Sequence, residues 1–175
     1  MFAEEGRGLV HAASGALADR AHAALPWTLT ADQEQALAEI VADLASRRPM
    51  HRLLVGDVGS GKTVVALLAA LHVIEAGHQV AFMAPTEILA RQHAGTLTRF
   101  ARPAGVEVLA LTGGSSAGER RVIRTRVSRR ASRCSWWGRT RCSRRKSRCR
   151  RWGSRSWTSS TGSGSGNAPR WQRRP

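Results

Sequence analysis

The chain has 175 residues, a net charge of +16 and three cysteines. Its first residues include Glu4 and Glu5 without a long apolar segment, which argues against a signal peptide, and no stretch approaches the 18 or so apolar residues of a membrane span. Cys134, Cys142 and Cys149 lack C-x-x-C spacing and have no partnering histidine nearby, so neither a disulfide framework nor a metal site is indicated. We therefore expect a cytoplasmic protein with no membrane partner.

The charge divides the chain into two segments of different composition. Residues 1–119 carry twelve acidic and nine basic groups, a net charge of −3, whereas residues 120–175 carry nineteen basic groups and no acidic one. Five of the six tryptophans also lie in the second segment, whose apolar residues follow neither a helical nor a strand period. The sequence therefore predicts a folded front portion and a basic tail rich in Arg, Ser and Trp.

The front portion begins with an alanine-rich stretch, residues 1–24, which we interpret as a linker or helical remnant. The next element is a helix predicted from Ala31 to Ser46. The apolar residues at helical spacing in it are Leu37, Ile40, Val41 and Leu44. Thr30 and Gln33 at its start also fit the pattern of a capping box.

A phosphate-binding loop follows a predicted buried strand, Arg52–Val55. The loop sequence is Gly56-Asp57-Val58-Gly59-Ser60-Gly61-Lys62-Thr63, which fits G-x-x-x-x-G-K-[ST]. Glycines let backbone N–H groups converge on phosphate oxygens, and the helix predicted over Val64–Ala76 would point its positive dipole end at them. The motif predicts ATP and Mg²⁺ as cofactors, with Lys62 at the β- and γ-phosphates and Thr63 at the metal, both in catalytic positions. The predicted nucleotide-binding residues here are Gly56, Asp57, Gly59, Ser60, Gly61, Lys62 and Thr63. The alternative is a glycine-rich turn that contains Lys-Thr by chance.

Strands and helices alternate beyond the loop. We predict a strand over Gln79–Ala84, an amphipathic helix over Ile88–Phe100 and a third strand over Val106–Leu111. His93 lies on the apolar stripe of that helix and is interpreted as a core residue. Alternating strands and helices predict an α/β fold with a parallel sheet, here a partial P-loop NTPase domain over residues 25–121.

Several segments in the front portion resemble the RecG family of bacterial ATP-dependent DNA helicases and its relative, the transcription-repair coupling factor. In chain order, the segments that carry the resemblance are Leu25–Gln33, Pro49–Leu54, Gly56–Ala66, Ala84–Ala90 with Gln92-His93, and Leu111–Gly114. The resemblance covers about residues 25–121. It implies a RecA-like ATPase domain of a superfamily 2 helicase that remodels forks and Holliday junctions during DNA repair and recombination, acting as a monomer.

The resemblance also implies roles for individual residues. Gln33 would read adenine through its amide, a role we weigh evenly against the capping box, and Trp27 would pack on the base. The residues implied at the DNA backbone are Pro85, Thr86, Glu87, Thr112 and Gly113. For Thr86 the alternative is an ordinary helix N-cap, and for Thr112 and Gly113 it is a strand-end turn.

The tail, residues 122–175, has three interpretations. It could be a basic nucleic-acid-binding arm, a disordered low-complexity segment, or out-of-frame translation of a GC-rich gene. When back-translated and read from the third base of each codon, Ser135–Ser143 can spell V-V-G-T-H-A-L-L and Ser156–Gly164 can spell V-D-E-Q-H-R-F-G. RecG-like proteins carry G-T-H-A-L and D-E-Q-H-R-F-G next, in that order. We therefore hypothesise a frameshift near Arg121 or Val122, with the tail disordered.

The family pattern is incomplete in the translated residues. They contain neither the D-E-x-H motif nor a wedge domain, nor the second RecA-like domain with its arginine finger. We therefore expect this chain by itself to bind nucleotide weakly and not to unwind DNA. The alternatives are a nucleic-acid-binding protein whose basic tail is genuine, and a P-loop ATPase that is not a helicase.

Overall fold

The computed structural model describes residues 9–128, 136–138 and 156–158. Its elements, numbered in chain order, are α1 (Ala16–Ala23), α2 (Ala31–Ala45), α3 (Lys62–Glu75), β1 (Ala81–Ala84), α4 (Glu87–Ala101), a 3₁₀ turn (Arg102–Ala104), β2 (Ala110–Leu111), α5 (Ala117–Ser128), β3 (Trp136–Gly138) and β4 (Ser156–Thr158). The three helices predicted in the front portion are confirmed as α2, α3 and α4, with their ends moved by one or two residues. No helix in this described part has the length and apolar character needed to cross a bilayer.

Helix α3 is the centre of the core. Ten of its fourteen residues, from Val64 to Ile74, are buried, including Leu67, Leu68 and Leu71 at 1% exposure or less. It packs against α1, α2 and α4, which cover different sides of it. Each fully buried leucine contributes about 2 kcal/mol relative to an exposed one, so this helix is firmly anchored.

Four short strands lie side by side in the order β2-β3-β1-β4, and each neighbouring pair runs parallel. The register aligns Met83 of β1 with Trp137 of β3 and with Thr158 of β4, while Leu111 of β2 also aligns with Trp137. Only β1 and β2 were predicted as strands, and β2 keeps just the last two residues of its predicted range. The two strands flanking β1 come from the basic tail.

The strand predicted over Arg52–Val55 is wrong for this structure. No strand is assigned there, and Leu53 and Val55 are each 79% exposed. A β-strand is held by hydrogen bonds to a neighbouring strand, and among the described residues no strand pairs with this segment. The segment is apolar, but the strand pairing that would bury it is not part of the described structure.

Helical structure continues past residue 122, where the basic tail is predicted to begin. Helix α5 begins at Ala117 and continues through Val122 to Ser128, with Ile123 buried. Ser116 and Glu119 start this helix by reciprocal hydrogen bonds: the Ser116 N–H donates to Glu119 at 2.7 Å, and the Glu119 N–H donates to the Ser116 hydroxyl at 3.2 Å. This capping box lies before the change in composition, and a helix nucleated there propagates into the first turns beyond it. Strands β3 and β4 also lie in the predicted tail, whose expected disorder stays a prediction, and the rest of the tail lies outside the described residues.

Helix α1 packs on the core although the predicted domain begins at residue 25. Its Leu17, Ala18 and Ala21 are buried. Its N-cap, Gly15, has no side chain to accept the first N–H groups, and Glu75 at the end of α3 takes that role. The Glu75 carboxylate accepts from the Leu17 N–H at 3.1 Å. It also accepts from the Ser14 hydroxyl and the Ala16 N–H, and the Ser14 bond is the main cause that lowers the pKa of Glu75.

Replacing Glu75 with Ala is expected to lower the free energy of unfolding by about 1 kcal/mol at neutral pH, the usual value of a lost N-cap. Since the folded-state pKa of Glu75 is lowered, its stabilisation is present above the ordinary glutamate pKa of about 4.3 and is lost as pH falls through the lower folded value. Urea unfolding of both proteins across pH should therefore show their difference shrinking in acid. Glu75→Gln keeps an acceptor oxygen and should show little of this pH dependence, whereas a difference that does not change with pH would contradict the capping role.

Candidate nucleotide-binding site

The loop before α3 has the backbone shape that its glycines predict. Gly59 and Gly61 have positive φ angles of 87° and 78°, a conformation that residues with a Cβ rarely adopt. Gly56 has a different reason to lack a side chain, because a Cβ there would lie 2.7 Å from the Ser60 hydroxyl oxygen. The loop therefore closes on itself tightly, and three of its glycines are required by geometry.

The N-terminus of α3 opens into this loop. Gly61 is the N-cap and offers no side-chain acceptor, while its carbonyl receives the N–H groups of Val64 at 2.9 Å and Val65 at 3.2 Å. The first N–H groups of a helix have no acceptor within the helix, and they carry the positive end of its dipole. Lys62 and Thr63 begin the helix at this point, so an anionic ligand is favoured here.

The Lys62 ammonium group reaches back across the loop. Its Nζ donates to the carbonyl oxygens of Gly56 and Asp57, at 2.6 Å each, and lies 3.3 Å from the Ser60 hydroxyl oxygen. These acceptors are neutral, and a phosphate oxygen would form a stronger, charge-assisted bond with the same ammonium. Three of the predicted loop residues, Gly56, Asp57 and Ser60, are thus brought together around one cation.

Gln33 joins this loop to the start of α2. Its side-chain carbonyl accepts from the Thr30 N–H at 3.0 Å, while its own backbone N–H donates to the Thr30 hydroxyl at 3.3 Å. The capping box is therefore present. The Gln33 amide Nε2 also donates to the Ser60 carbonyl at 2.9 Å, and a Cβ on Gly61 would lie 2.5 Å from that nitrogen. Sequence reasoning anticipated the cap but missed this contact with the phosphate loop.

The residues implied at the DNA backbone also come together, at the ends of β1 and β2. Pro85 and Thr86 are exposed before α4, where the Thr86 hydroxyl caps the helix by accepting from the Leu89 N–H at 3.3 Å. Glu87 begins α4, and its carboxylate accepts hydrogen bonds from the Thr112 hydroxyl and the Gly114 N–H. Two loops that are 25 residues apart in the chain are therefore joined by one side chain.

These five residues differ in their access to a ligand. Pro85, Thr86 and Gly113 are exposed, whereas Thr112 is only 6% exposed. Glu87 is partly exposed and negative, and its pKa is lowered chiefly by the hydrogen bond from Arg91. A carboxylate repels phosphate, so the location of Glu87 argues for a role other than direct contact with a phosphate.

Comparison with known proteins decides the family. The model of the DEAD/DEAH box helicase family matches residues 30–129, more than half of the chain. The chain belongs to the DEAD/DEAH box helicase family. It is 54% identical over 97 residues to the ATP-dependent DNA helicase RecG of Borreliella burgdorferi, covering 55% of this chain and 14% of that protein. It is 52% identical over 101 residues to the RecG of Escherichia coli K12, covering 58% of this chain and 15% of that protein.

Solved structures give the same result. A RecG structure bound to a three-way DNA junction matches with a TM-score of 0.71 and 39% identity, covering 75% of this chain and 18% of the RecG chain. The resemblance to RecG is therefore confirmed. The DEAD/DEAH box segment in this chain spans about a seventh of the length of the relatives named above.

Three further residues of this helicase segment have surroundings that the sequence predicted only in part. Arg120 of α5 donates hydrogen bonds to the Thr112–Ser115 turn, and no sequence motif predicted this contact. Trp27 packs edge-to-face against Phe100, with ring centroids 5.4 Å apart, and borders an open surface depression. His93 is only half-buried, whereas a core position was expected, and burial lowers its pKa.

The described residues fit Mg²⁺ only in part. Thr63 offers a hydroxyl at the start of α3, but no cluster of three or more His, Cys, Asp or Glu side chains that could hold a metal occurs in the described ranges. Mg²⁺ in nucleotide sites keeps several waters and is held largely through substrate phosphates. Thr63 would therefore supply one protein oxygen to a cation that neutralises phosphate charge and arrives with the nucleotide.

The two roles of Gln33 can be separated by substitution. Thr30→Ala removes the cap and should lower the free energy of unfolding by about 1 kcal/mol while leaving nucleotide affinity unchanged. Gln33→Glu keeps an acceptor for the Thr30 N–H but removes the donor to Ser60 and adds a negative charge. It should weaken Mg-ATP binding about tenfold, or roughly 1.4 kcal/mol, with little loss of stability. Urea unfolding and fluorescence anisotropy with a fluorescent ATP analogue measure both effects, and parallel changes in the two variants would contradict separate roles.

Proposed function

We propose that this chain is the ATP-binding part of a RecG-like superfamily 2 DNA helicase, within its first RecA-like domain. The observation that carries the proposal is the glycine loop with the Lys62 ammonium across it and Gln33 fixed to its Ser60 carbonyl, in a chain similar to RecG. The nucleotide-binding residues proposed are Gln33, Gly56, Asp57, Gly59, Ser60, Gly61, Lys62 and Thr63. The complete parallel sheet of such a domain, and ATP with Mg²⁺ as its cofactors, belong to the same proposal.

The activity proposed for the whole protein is ATP-driven translocation on double-stranded DNA, which remodels forks and Holliday junctions in repair and recombination. The relatives are named ATP-dependent DNA helicases, and one solved relative is bound to a three-way DNA junction. Pro85, Thr86, Glu87, Thr112 and Gly113 line the proposed DNA-facing edge. The translated residues carry no D-E-x-H motif, so this chain tested alone should bind nucleotide without helicase-like hydrolysis.

We further propose that the tail is translated out of frame, and that the correct reading frame of the gene encodes the continuation of the helicase domain. What supports this is the position of the two tail strands. Strand β3 starts at Trp136, within the segment that can spell V-V-G-T-H-A-L-L, and β4 starts at Ser156, where V-D-E-Q-H-R-F-G begins. Both pair in parallel with β1, and the structural likeness to RecG covers 75% of the chain against 55–58% in the sequence alignments.

The nucleotide sequence of the gene tests the frameshift directly. The codons of Ser135–Ser143 and Ser156–Gly164, read from their third bases, should yield both strings, with the slip near codon 121 or 122. Codons that cannot yield them would end the proposal and favour a genuine basic tail. In that case deletion of residues 122–175 should abolish salt-dependent DNA binding.

Lys62→Ala should weaken Mg-ATP binding at least tenfold, because it removes the cation at the centre of the loop. Arg102→Ala is the matched control, since it removes one positive charge at the far end of α4. Isothermal titration calorimetry of both variants measures the effect. Equal affinity for Lys62→Ala and the unmodified chain would refute nucleotide binding at this loop.

A further inference from the structure

The Thr112–Ser115 turn is held from one side by Arg120 of α5. The Arg120 guanidinium donates through Nη2 to the carbonyls of Gly113 at 2.8 Å and Thr112 at 3.2 Å, and through Nε to the carbonyl of Ser115 at 2.9 Å. The turn is also closed internally, because the Thr112 N–H donates to the Ser115 hydroxyl at 3.0 Å. Its carbonyl groups are therefore directed toward α5.

Glu87 of α4 holds the other side of the same turn. Its carboxylate accepts from the Gly114 N–H and the Thr112 hydroxyl, and Oε1 also accepts from Arg91 Nη2 at 2.8 Å. Glu87 and Arg91 are four residues apart on one helix, the spacing at which an acidic and a basic side chain meet. The carboxylate therefore fixes the turn and the Arg91 side chain at once.

A larger residue at this contact would crowd the Glu87 carboxylate. A Cβ on Gly114 would lie 3.0 Å from Glu87 Oε1 and 3.5 Å from Arg91 Nη2, and a Cβ on Gly113 would lie 3.3 Å from Glu87 Oε2. Glycine at both positions allows the Glu87 carboxylate to approach both residues and the Arg91 guanidinium to approach Gly114. Arg91 remains 67% exposed in this arrangement, so its outer side faces solvent.

Among the charged side chains around this turn, only a cation would be attracted to a phosphodiester backbone. Of the five residues implied at DNA, none is a cation, Glu87 is an anion and Thr112 is buried. Arg91 is the exposed cation beside Gly114, and a guanidinium has five donors, of which the bond to Glu87 engages one nitrogen. The Arg120 guanidinium, in contrast, donates to the carbonyl oxygens of Thr112 and Gly113.

We propose that Arg91 is the phosphate-contacting residue of this edge for duplex DNA, and that Glu87 is a positioning residue that holds Arg91 and the Thr112–Gly114 turn in one arrangement. This inference rests on the proposed function and names the contact that its DNA-facing edge uses. Glu87 acts through Arg91 and the Gly114 N–H, without touching DNA itself.

The test is an NMR titration of the full chain, labelled with ¹⁵N-glycine, with a short duplex DNA oligonucleotide. The Gly113 and Gly114 amide signals should shift in the unmodified chain, and Arg91→Ala should abolish the shift. The same variant should lower the slope of log affinity against log salt by about one, as expected for one lost phosphate contact. Arg102→Ala, eleven residues further along the chain from Arg91, should leave the turn signals responsive.

Glu87 is tested by a pair of variants in the same titration. Glu87→Gln keeps acceptor oxygen for the Gly114 N–H and should retain the turn shifts, with DNA affinity equal or higher since a negative charge is removed. Glu87→Ala should lose both the shifts and the protection of the Gly114 amide from hydrogen exchange. Turn signals that ignore DNA in the unmodified chain, or that respond equally in Arg91→Ala, would overturn the inference.

Addition of Mg-ATP to the same sample separates this inference from the proposed function. Signals of Gly56, Gly59 and Gly61 that respond to Mg-ATP while the turn ignores DNA would overturn the role of Arg91 alone. Loop glycines that ignore Mg-ATP would overturn the proposed nucleotide site. Melting followed by circular dichroism checks that each variant is folded.

Discussion

The burial of α3 is the constraint on which the rest of the structure depends. The phosphate-binding loop is closed by its own hydrogen bonds, and its end is fixed because the helix that follows it is buried. Ten residues of α3 are buried against helices on different sides, and this burial holds the first N–H groups of the helix in one place. The proposed binding of a triphosphate would benefit from such preorganisation, since ordering the loop during binding would reduce affinity.

Both ends of α3 are joined to other helices by single polar side chains. At its start, Gln33 binds the Ser60 carbonyl while completing the cap of α2. At its end, Glu75 supplies the cap that Gly15 cannot give to α1. Each of these side chains serves two elements at once, so local helix stability and the position of the phosphate loop are coupled through α3.

The edge formed by the start of α4 and the Thr112–Ser115 turn is held together by charged side chains. Glu87 and Arg91 of α4 form an exposed ion pair beside the glycine turn, and Arg120 binds the carbonyls of that turn from α5. Ion pairs at such exposure contribute little to stability, so their effect here is geometric: they select one orientation of the turn. Under the proposed role of Arg91, the negative charge of Glu87 would position a cation and would not itself face the DNA.

The sequence by itself determined helices α2, α3 and α4, the glycine-lysine pattern of the phosphate-binding loop and the resemblance to RecG, because helical periodicity, capping patterns and glycine-lysine spacing are local properties of the chain. It predicted β1 well and β2 in part. The tertiary structure alone decided the rest. Whether Arg52–Val55 becomes a strand depends on a neighbour distant in the chain, and so does the pairing of β3 and β4 with β1. The contacts of Gln33 with Ser60, of Glu75 with α1 and of Arg120 with its turn likewise join segments that are separate in the sequence. Sheet pairing and side-chain contacts between distant segments leave no periodic signal in the sequence, so only the folded chain shows them.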